Sequence, residues 1–564
     1  MMDASKYQPG YYPVSQEWNS WVLKDHITKA PDWCSVDLRD GNQSLVIPMS
    51  LGEKLEFYRM LVGMGFKEIE VGFPAASDTE YRFLRALIEK DLIPQDVTVQ
   101  VLTQCREKII RKTFEACRGI PGAIIHFYNS VSPIQREQVF RKSKEEILQV
   151  AVDGAKLVRK LASEYEGRFR FEYSPESFTG TEPEYALQVC NAVLDVLQPG
   201  EDNRVIINLP ATVEMSMPHV FASQVAFMSR NLKYREHVTL SVHPHNDRGT
   251  GIADAELAIL AGAQRVEGTL FGNGERTGNV DIVTLAMNIY AHGVDPGLDF
   301  SDMNRLKEVY EKCTGMHVPR RSPYAGSLVF AAFSGGHQDA IAKGMKYRKK
   351  KKRQQWDVPY LLIDPGDIGR TYDTDVIRVN SQSGQGGIGY VLEQTYGYHL
   401  PTPMREHLSR RCKEISDREH RELKPEDILD IFTRHYLNQC GGISVTETKF
   451  TRKEDSVKLR ITFLEDGRET VVKAVGNGSL SAVSHALRDY TGDTYTLQVF
   501  AQHSLQGEGS QSIAVSYIGL EAENGEMFWG AGTNTDVIRA SIRALLSAYR
   551  NMKSDSRSPQ RRDR

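Results

Sequence analysis

Short apolar runs recur along the first half of the chain, and each gives way to a cluster of small and polar side chains. WCSVDL passes into Arg39-Asp40-Gly41, KEIEVGF into Pro74-Ala75-Ala76-Ser77, VTVQVL into Thr103-Gln104, and GAIIHFY into Asn129-Ser130. RFRFEYS passes into Pro175-Glu176-Ser177, RVIINL into Pro210-Ala211-Thr212, VTLSVH into Pro244-His245-Asn246-Asp247, and RVEGTLF into Gly272-Asn273-Gly274-Glu275. Runs of this length bounded by turn residues read as strands. Between them, SLGEKLEFYRMLVGMG, EEILQVAVDGAKLVRKLASEY and ADAELAILAGA carry helical spacing. Eight strands alternating with helices over roughly 250 residues predict an α/β fold, a (β/α)8 TIM barrel. Functional groups in that fold sit at the C-terminal ends of the strands, where the unusual polar residues cluster here.

The chain's 564 residues exceed one ordinary domain. The pattern places an N-terminal extension at 1–30, the barrel at 31–325, a linker with helical subdomains at 326–436, a C-terminal domain at 437–553 and a polar, disordered tail at 554–564. A net charge of -3 gives no global attraction to nucleic acid or membrane. No apolar stretch approaches the ~20 residues that span a bilayer. The N-terminus lacks the features of a signal or transit peptide. Seven cysteines without a C-x-x-C pair fit reduced thiols in the cytoplasm, and Cys34 reads as a core residue.

Turn formation explains Gly and Asn after a strand, but not Arg39 beside Asp40. His243 and His245 stand two apart at the end of the seventh strand, so both imidazoles face the same side. Barrel closure brings the first strand beside the eighth and near the seventh. Asp40 then supplies a carboxylate to the two imidazoles, and Asn279 in GNGERTGN an amide oxygen. This mixed N/O set suits Mg²⁺, Mn²⁺ or Zn²⁺ with positions open to a chelating substrate. It also matches the two-His-one-carboxylate iron site of oxygenases, which ranks lower because Arg39 suggests oxyanion stabilisation. Gly41 is expected to let the backbone turn sharply enough for Arg39 and Asp40 to share a pocket.

DLRDGNQ, HFYNS, EYSPESFTGTE, NLPATVE, VHPHNDRGTG and GNGERTGN together closely resemble the α-isopropylmalate synthases, and the similarity spans nearly the whole chain. The Arg-Asp and metal motifs are shared with homocitrate and citramalate synthases and hydroxymethylglutaryl-CoA lyase. HFYNS, EYSPESF and NLPATVE narrow the resemblance. It implies condensation of acetyl-CoA with 3-methyl-2-oxobutanoate, with thioester hydrolysis, to 2-isopropylmalate and CoA, the first committed step of leucine synthesis. It implies a divalent metal, Mg²⁺ first, and Arg39 beside the developing alkoxide. It also implies Glu176 or His337 as the base, His337 entering from beyond the barrel, with Tyr372 as a similar contribution. Leu102, His126, Ser174, Asn208, Pro210 and Thr212 are expected around the keto acid, with Thr212 on its carboxylate. Rival readings are a homocitrate or citramalate synthase, an acyl-CoA lyase, and a nucleic-acid module using Lys346–Trp356. No stacking pattern accompanies that basic run, and a solvated loop or helix end explains it better. The glycine-rich RVNSQSGQGGIGY suits an approaching CoA chain, but Gln385 stands where the family carries Lys.

Beyond the linker, two strand-like runs and a helix occur twice, with turns at Asp466-Gly467 and Asn524-Gly525. Gly476 and Gly478 open one helix and Gly530 and Gly532 the other, which predicts two ββα units whose bare helix starts suit a carboxylate. The resemblance implies a leucine-binding regulatory domain and a homodimer. A dimerisation domain without ligand is the alternative.

Overall fold

The computed structural model describes residues 20–332, 334–352, 354–372, 385–419, 421, 423–505 and 512–555. The 556–564 part of the tail, residues 1–19, and residues 378–384 of the glycine-rich stretch lie outside the described residues. The chain divides into two compact units, Met1–Val329 with Ile363–Thr371, and Phe330–Leu362 with Tyr372–Arg564.

In the first unit eight parallel strands close into a barrel in sequence order. They are β1 (Asp32–Ser35), β2 (Glu68–Gly72), β3 (Thr98–Gln104), β4 (Gly122–Ser130), β5 (Arg168–Glu176), β6 (Val205–Ala211), β7 (Val238–Pro244) and β8 (Arg265–Gly268). The alternating helices are α1 (Leu51–Met64), α2 (Asp78–Glu89), α3 (Glu107–Ala116), α4 (Lys144–Glu164), α5 (Pro183–Leu197), α6 (Pro218–Asn231), α7 (Gly251–Ala261) and α8 (Ile282–Ala291), followed by α9 (Met303–Thr314). Local chemistry sets their starts: Ser50 with Glu53 and Ser143 with Glu146 form capping boxes on α1 and α4. Pairing of Asp32–Ser35 with Arg265–Gly268 closes the ring.

The first strand is shorter than the apolar run suggested. It stops at Ser35, and Asp37–Gly41 forms a single π-helical turn in which the amides of Asp40 and Gly41 both bond to Val36 O. Arg39 and Asp40 therefore stand on a turn, a form often found at functional sites. Gly41 does not have a positive φ there, contrary to the role expected of it. A Cβ on Gly41 would meet Asn273 Nδ2 at 3.3 Å and Thr269 Cγ2 at 3.4 Å, so glycine serves the close approach of the segment after β8.

In the second unit α10 (Gly335–Lys351), α11 (Gln385–Tyr396), α12 (Thr402–Glu419) and α13 (Pro425–Tyr436) precede two three-stranded antiparallel sheets, ordered β11-β10-β9 and β12-β13-β14. These comprise β9 (Ile443–Lys453), β10 (Ser456–Glu465), β11 (Arg468–Gly476), α14 (Ser479–Thr491), β12 (Tyr495–Ser504), β13 (Ala514–Ala522), β14 (Met527–Asn534) and α15 (Val537–Asp555). Each repeat is thus βββα, one strand more than expected. Gly478 does cap a helix, α14, and Gly476 ends β11. Gly530 and Gly532 do not open a helix; they lie within β14. A Cβ on Gly532 would overlap the Ala540 carbonyl and the Ala544 amide of α15, and one on Gly530 would overlap Ala544 O and Ala548 N. On the opposite face of this sheet, Tyr517, Trp529 and Ala531 join Leu392, Leu408 and Phe432 of α11–α13 in one core.

Candidate active site

The C-terminal mouth of the barrel holds a cavity lined by Arg39, Asp40, Glu176, His243 and His245. Leu102, His126, Ser174, Asn208, Pro210 and Thr212 line it too. These come from the ends of different strands, placed there by the parallel register that sets Leu102 opposite His126 and Pro210 opposite His243. Gln43, Tyr128, Glu275 and Arg276 complete the wall and were not foreseen.

Asp40, His243 and His245 are buried with their donor atoms within 4.8 Å of one another. His243 Nε2 and His245 Nε2 stand 3.7 and 3.9 Å from Asp40 Oδ2, beyond hydrogen-bond reach. Tetrahedral ligands each about 2.1 Å from one cation stand about 3.4 Å apart, so a contraction of a few tenths of an ångström would seat an ion. His243 and Asp40 are held from outside the set, whereas His245 Nδ1 is buried without a partner. His243 Nδ1 lies 2.8 Å from Glu267 Oε2 and its Nε2 2.9 Å from Asn279 Oδ1. Asn279 Nδ2 donates to Asp40 Oδ2 at 2.8 Å, so Asn279 reaches both partners. A carboxylate behind a ligating imidazole fixes its tautomer and orientation. The donor chemistry therefore fits a divalent cation held by Asp40, His243 and His245, with Asn279 adjacent.

Charge is distributed unevenly. Burial opposes ionisation of His243, but Asp40 and Glu267 outweigh it and hold the imidazole at about 9. Burial and the neighbouring His243 push His245 down to about 4. Asp40 works against burial as well, and Arg39 and His243 hold its carboxyl well below the usual range.

Arg39 donates from Nη1 to Asp40 Oδ1 at 2.6 Å and from Nε to Glu70 Oε2. Glu70 also meets His126 Nδ1 at 2.7 Å, and His126 Nε2 lies 2.7 Å from Ser174 Oγ. Asn208 Nδ2 donates to Ser174 Oγ at 3.0 Å and to Glu267 Oε2 at 3.2 Å, while its Oδ1 is buried without a partner. Ser130 donates to Glu176 Oε2. Thr212 Oγ1 accepts the Ser177 amide at 2.9 Å, Ser177 being held at φ 62°.

Beneath the cavity lies a polar barrel interior that was not foreseen. Arg265 bonds Glu68, Ser241, Glu267 and Gln100. Glu172 stands 3.2 Å from Arg265 without a hydrogen bond to either of its oxygens. Burial, then the Glu267 carboxylate, drives Glu172 far up, whereas Arg265 and His243 keep Glu267 ionised against its burial. The two carboxyls titrate as a pair, with Glu172 the member held up and Glu267 the member held down. The available signal was Glu70, Gln100, Glu172 and Glu267 within strands that a parallel barrel buries on both faces.

His337 and Tyr372 lie in the second unit and are not among the residues lining the barrel cavity. His337 is exposed at the start of α10, its ring stacked 4.0 Å from that of Tyr360. Of the basic run, Arg348 packs 5.0 Å over Trp356; Lys349, Lys350, Lys351 and Lys352 are exposed. No helix among the described residues is long and apolar enough to cross a membrane.

Three family models match in succession: HMGL-like over 30–309, alpha-isopropylmalate synthase, post-catalytic domain-like over 327–393, and the LeuA allosteric (dimerisation) domain over 422–553. A hydroxymethylglutaryl-CoA lyase from Pseudomonas aeruginosa is similar over 52% of this chain and 97% of its own, at 16% identity and a TM-score of 0.44. A 2-isopropylmalate synthase of Desulfitobacterium hafniense is 56% identical, covering 99% of this chain and 100% of its own. One of Helicobacter hepaticus is 56% identical over 97% and 99%, and one of Acetoanaerobium sticklandii 50% identical over 98% and 97%. At such identity over the full length, this chain belongs to the 2-isopropylmalate synthase family.

Proposed function

We propose that the protein condenses acetyl-CoA with 3-methyl-2-oxobutanoate and water to give 2-isopropylmalate and CoA. The observation that carries this reading is the convergence of Asp40, His243 and His245 on one cavity shared with Arg39 and Glu176. A divalent cation, Mg²⁺ first, supplies Lewis acidity to the keto carbonyl when bound. Asp40 and the two imidazoles hold that charge in place, and Glu267 and Asn279 orient His243. Arg39, fixed by Glu70 and Asp40, offers its positive charge to the oxygen that becomes an alkoxide. Glu176 takes a proton from the acetyl methyl group, with His337 the alternative base. His126, Ser174 and Asn208, already tied to one another, shape the floor on which the keto acid sits. Leu102 and Pro210 flank its branch, and Thr212 donates to its carboxylate.

The regulatory reading is that leucine binds the C-terminal domain and inhibits, and that two chains form the working enzyme. The match to an allosteric (dimerisation) domain supports both. The seven free thiols suit a cytoplasmic protein. The test is CoA release from acetyl-CoA with a panel of 2-keto acids, with and without a chelator. Turnover should be greatest with 3-methyl-2-oxobutanoate and vanish with the chelator. Preference for 2-oxoglutarate or pyruvate would replace this reading with a homocitrate or citramalate synthase.

A further inference from the structure

The turn that carries Arg39 and Asp40 is gripped from outside the barrel as well as from within. Lys54 of α1 is 0% exposed. Its Nζ donates to Leu38 O at 2.8 Å, lies 3.5 Å from Val71 O, and is ion-paired with Glu80. Leu38 directly precedes Arg39 in the turn. Glu80, at the start of α2, accepts the Phe73 amide at 3.1 Å and faces Asn42 Nδ2 at 3.4 Å. Asn42 closes the turn, and its Oδ1 accepts the Met49 amide at 2.7 Å. A Cβ on Gly72 would overlap Glu80 Oε2, so the glycine ending β2 makes room for this carboxylate.

A buried ion pair is a poor stability device, since apolar side chains of similar volume hold a fold as well or better. What an ammonium supplies instead is direction. Here it joins the π turn, the end of β2 and the start of α2 at one point. Glu70, also on β2, holds Arg39 from inside the barrel. Both faces of the turn are therefore registered to the same strand. We infer that Lys54 and Glu80 are positioning residues that lock the Asp37–Gly41 turn so that Asp40 and Arg39 face the cavity. The inference rests on the assignment of Asp40 to the metal, made above.

The test uses the full-length chain, Mn²⁺ calorimetry, steady-state kinetics and thermal melting. Lys54→Met combined with Glu80→Gln removes both charges and leaves no unpaired carboxylate. Its Tm should stay close to wild type, while the Mn²⁺ dissociation constant rises and kcat falls, each by ~10-fold or more, as for other groups that orient metal ligands from behind. A purely structural pair would show the opposite: a changed Tm with unchanged kcat and Mn²⁺ affinity, which overturns the inference. Lys54→Gln alone keeps a donor near Leu38 O and leaves a charge only on Glu80, whose side chain reaches solvent, and so guards against a double variant that fails to fold. It should weaken Mn²⁺ binding and kcat by about 3-fold or more, and wild-type values for both in this variant also overturn the inference. Mn²⁺ binding is read without turnover. A wild-type chain that binds Mn²⁺ but fails to condense the proposed substrates counts against the reaction and not against the positioning role.

Discussion

Gly532→Ala is the sharpest test of how the C-terminal domain is built. The added Cβ would overlap the Ala540 carbonyl and the Ala544 amide and stand 2.8 Å from Arg543 Cβ. Two of these are helix backbone atoms, which cannot rotate away as a side-chain tip does. To restore ordinary contact, α15 has to retreat from β14 by more than ~1 Å. The surface it leaves includes Ala540, Ala544 and Ala548, all 0% exposed. Forcing one methyl into such packing costs about 1–3 kcal/mol, and a rigid neighbour puts Gly532 at the upper end. For a domain of this size about 3 kcal/mol lowers Tm by on the order of 10 °C. The assay is thermal melting of the full-length chain together with limited proteolysis, which reports which unit opens first. The C-terminal domain should become protease-sensitive at a lower temperature while the barrel is unaffected, and any response to leucine should disappear with the fold. Gly478→Ala is the control: Gly478 has extended backbone at φ -158°, and nothing lies within 4 Å of its added Cβ. A Gly532→Ala chain that melts and resists protease like wild type would refute the packing argument. It would also return Gly532 to the role of a ligand-facing residue.

The remaining expectations concern the barrel. Asp40→Ala should abolish Mn²⁺ binding and turnover while circular dichroism stays unchanged; activity with metal still bound would remove Asp40 from the site. Arg39→Ala should lower kcat by roughly 100-fold or more, with a smaller loss of metal affinity than Asp40→Ala; an effect on KM alone would make the arginine a binding group. Asp254 is 1% exposed, and burial followed by Glu214 holds its carboxyl at about 8 instead of the ordinary 3.8. The folded chain then keeps a proton that the unfolded chain gives up, so this group lowers stability progressively as pH rises from 3.8 to about 8. Asp254→Asn should raise Tm most above pH 8 and progressively less toward pH 4; a pH-independent difference would contradict the burial argument.

The barrel was legible because eight apolar runs at βα spacing admit few other folds. That His243 and His245 face one side was legible from the strand period of two, and Asp40 joined them because barrel closure sets the end of the first strand near the seventh. The shortened first strand was not, because Val36-Asp37-Leu38 alternates like a strand. Only the pairing with β8, which ends at Ser35 and Gly268, decides where β1 stops. The interior network escaped for a related reason. Glu70, Glu172 and Glu267 sit in runs that score as strands, and their partners Gln100 and Arg265 come from distant positions. In the C-terminal domain a Gly-Ala-Gly before a helical run resembled a helix start. Whether such glycines turn the chain or flatten a strand under a helix depends on what packs there, and local spacing does not carry that information.

The ring of strands closes by joining its first and last members, and this gives the proposed metal site a history within the folding of each molecule. Asp40 comes from the segment after β1, His243 from β7, His245 from just past its end, and Asn279 from beyond β8. Some 200 residues of chain separate the carboxylate from the imidazoles. During synthesis no partial barrel can assemble the full set, because the ligands meet only after all eight strands have emerged and paired. Such distant pairings form late and slowly. On the proposed assignment of Asp40, His243 and His245 to a cation, capture of that ion would be tied to the final stage of assembly, and the ion would act as a latch on the seam.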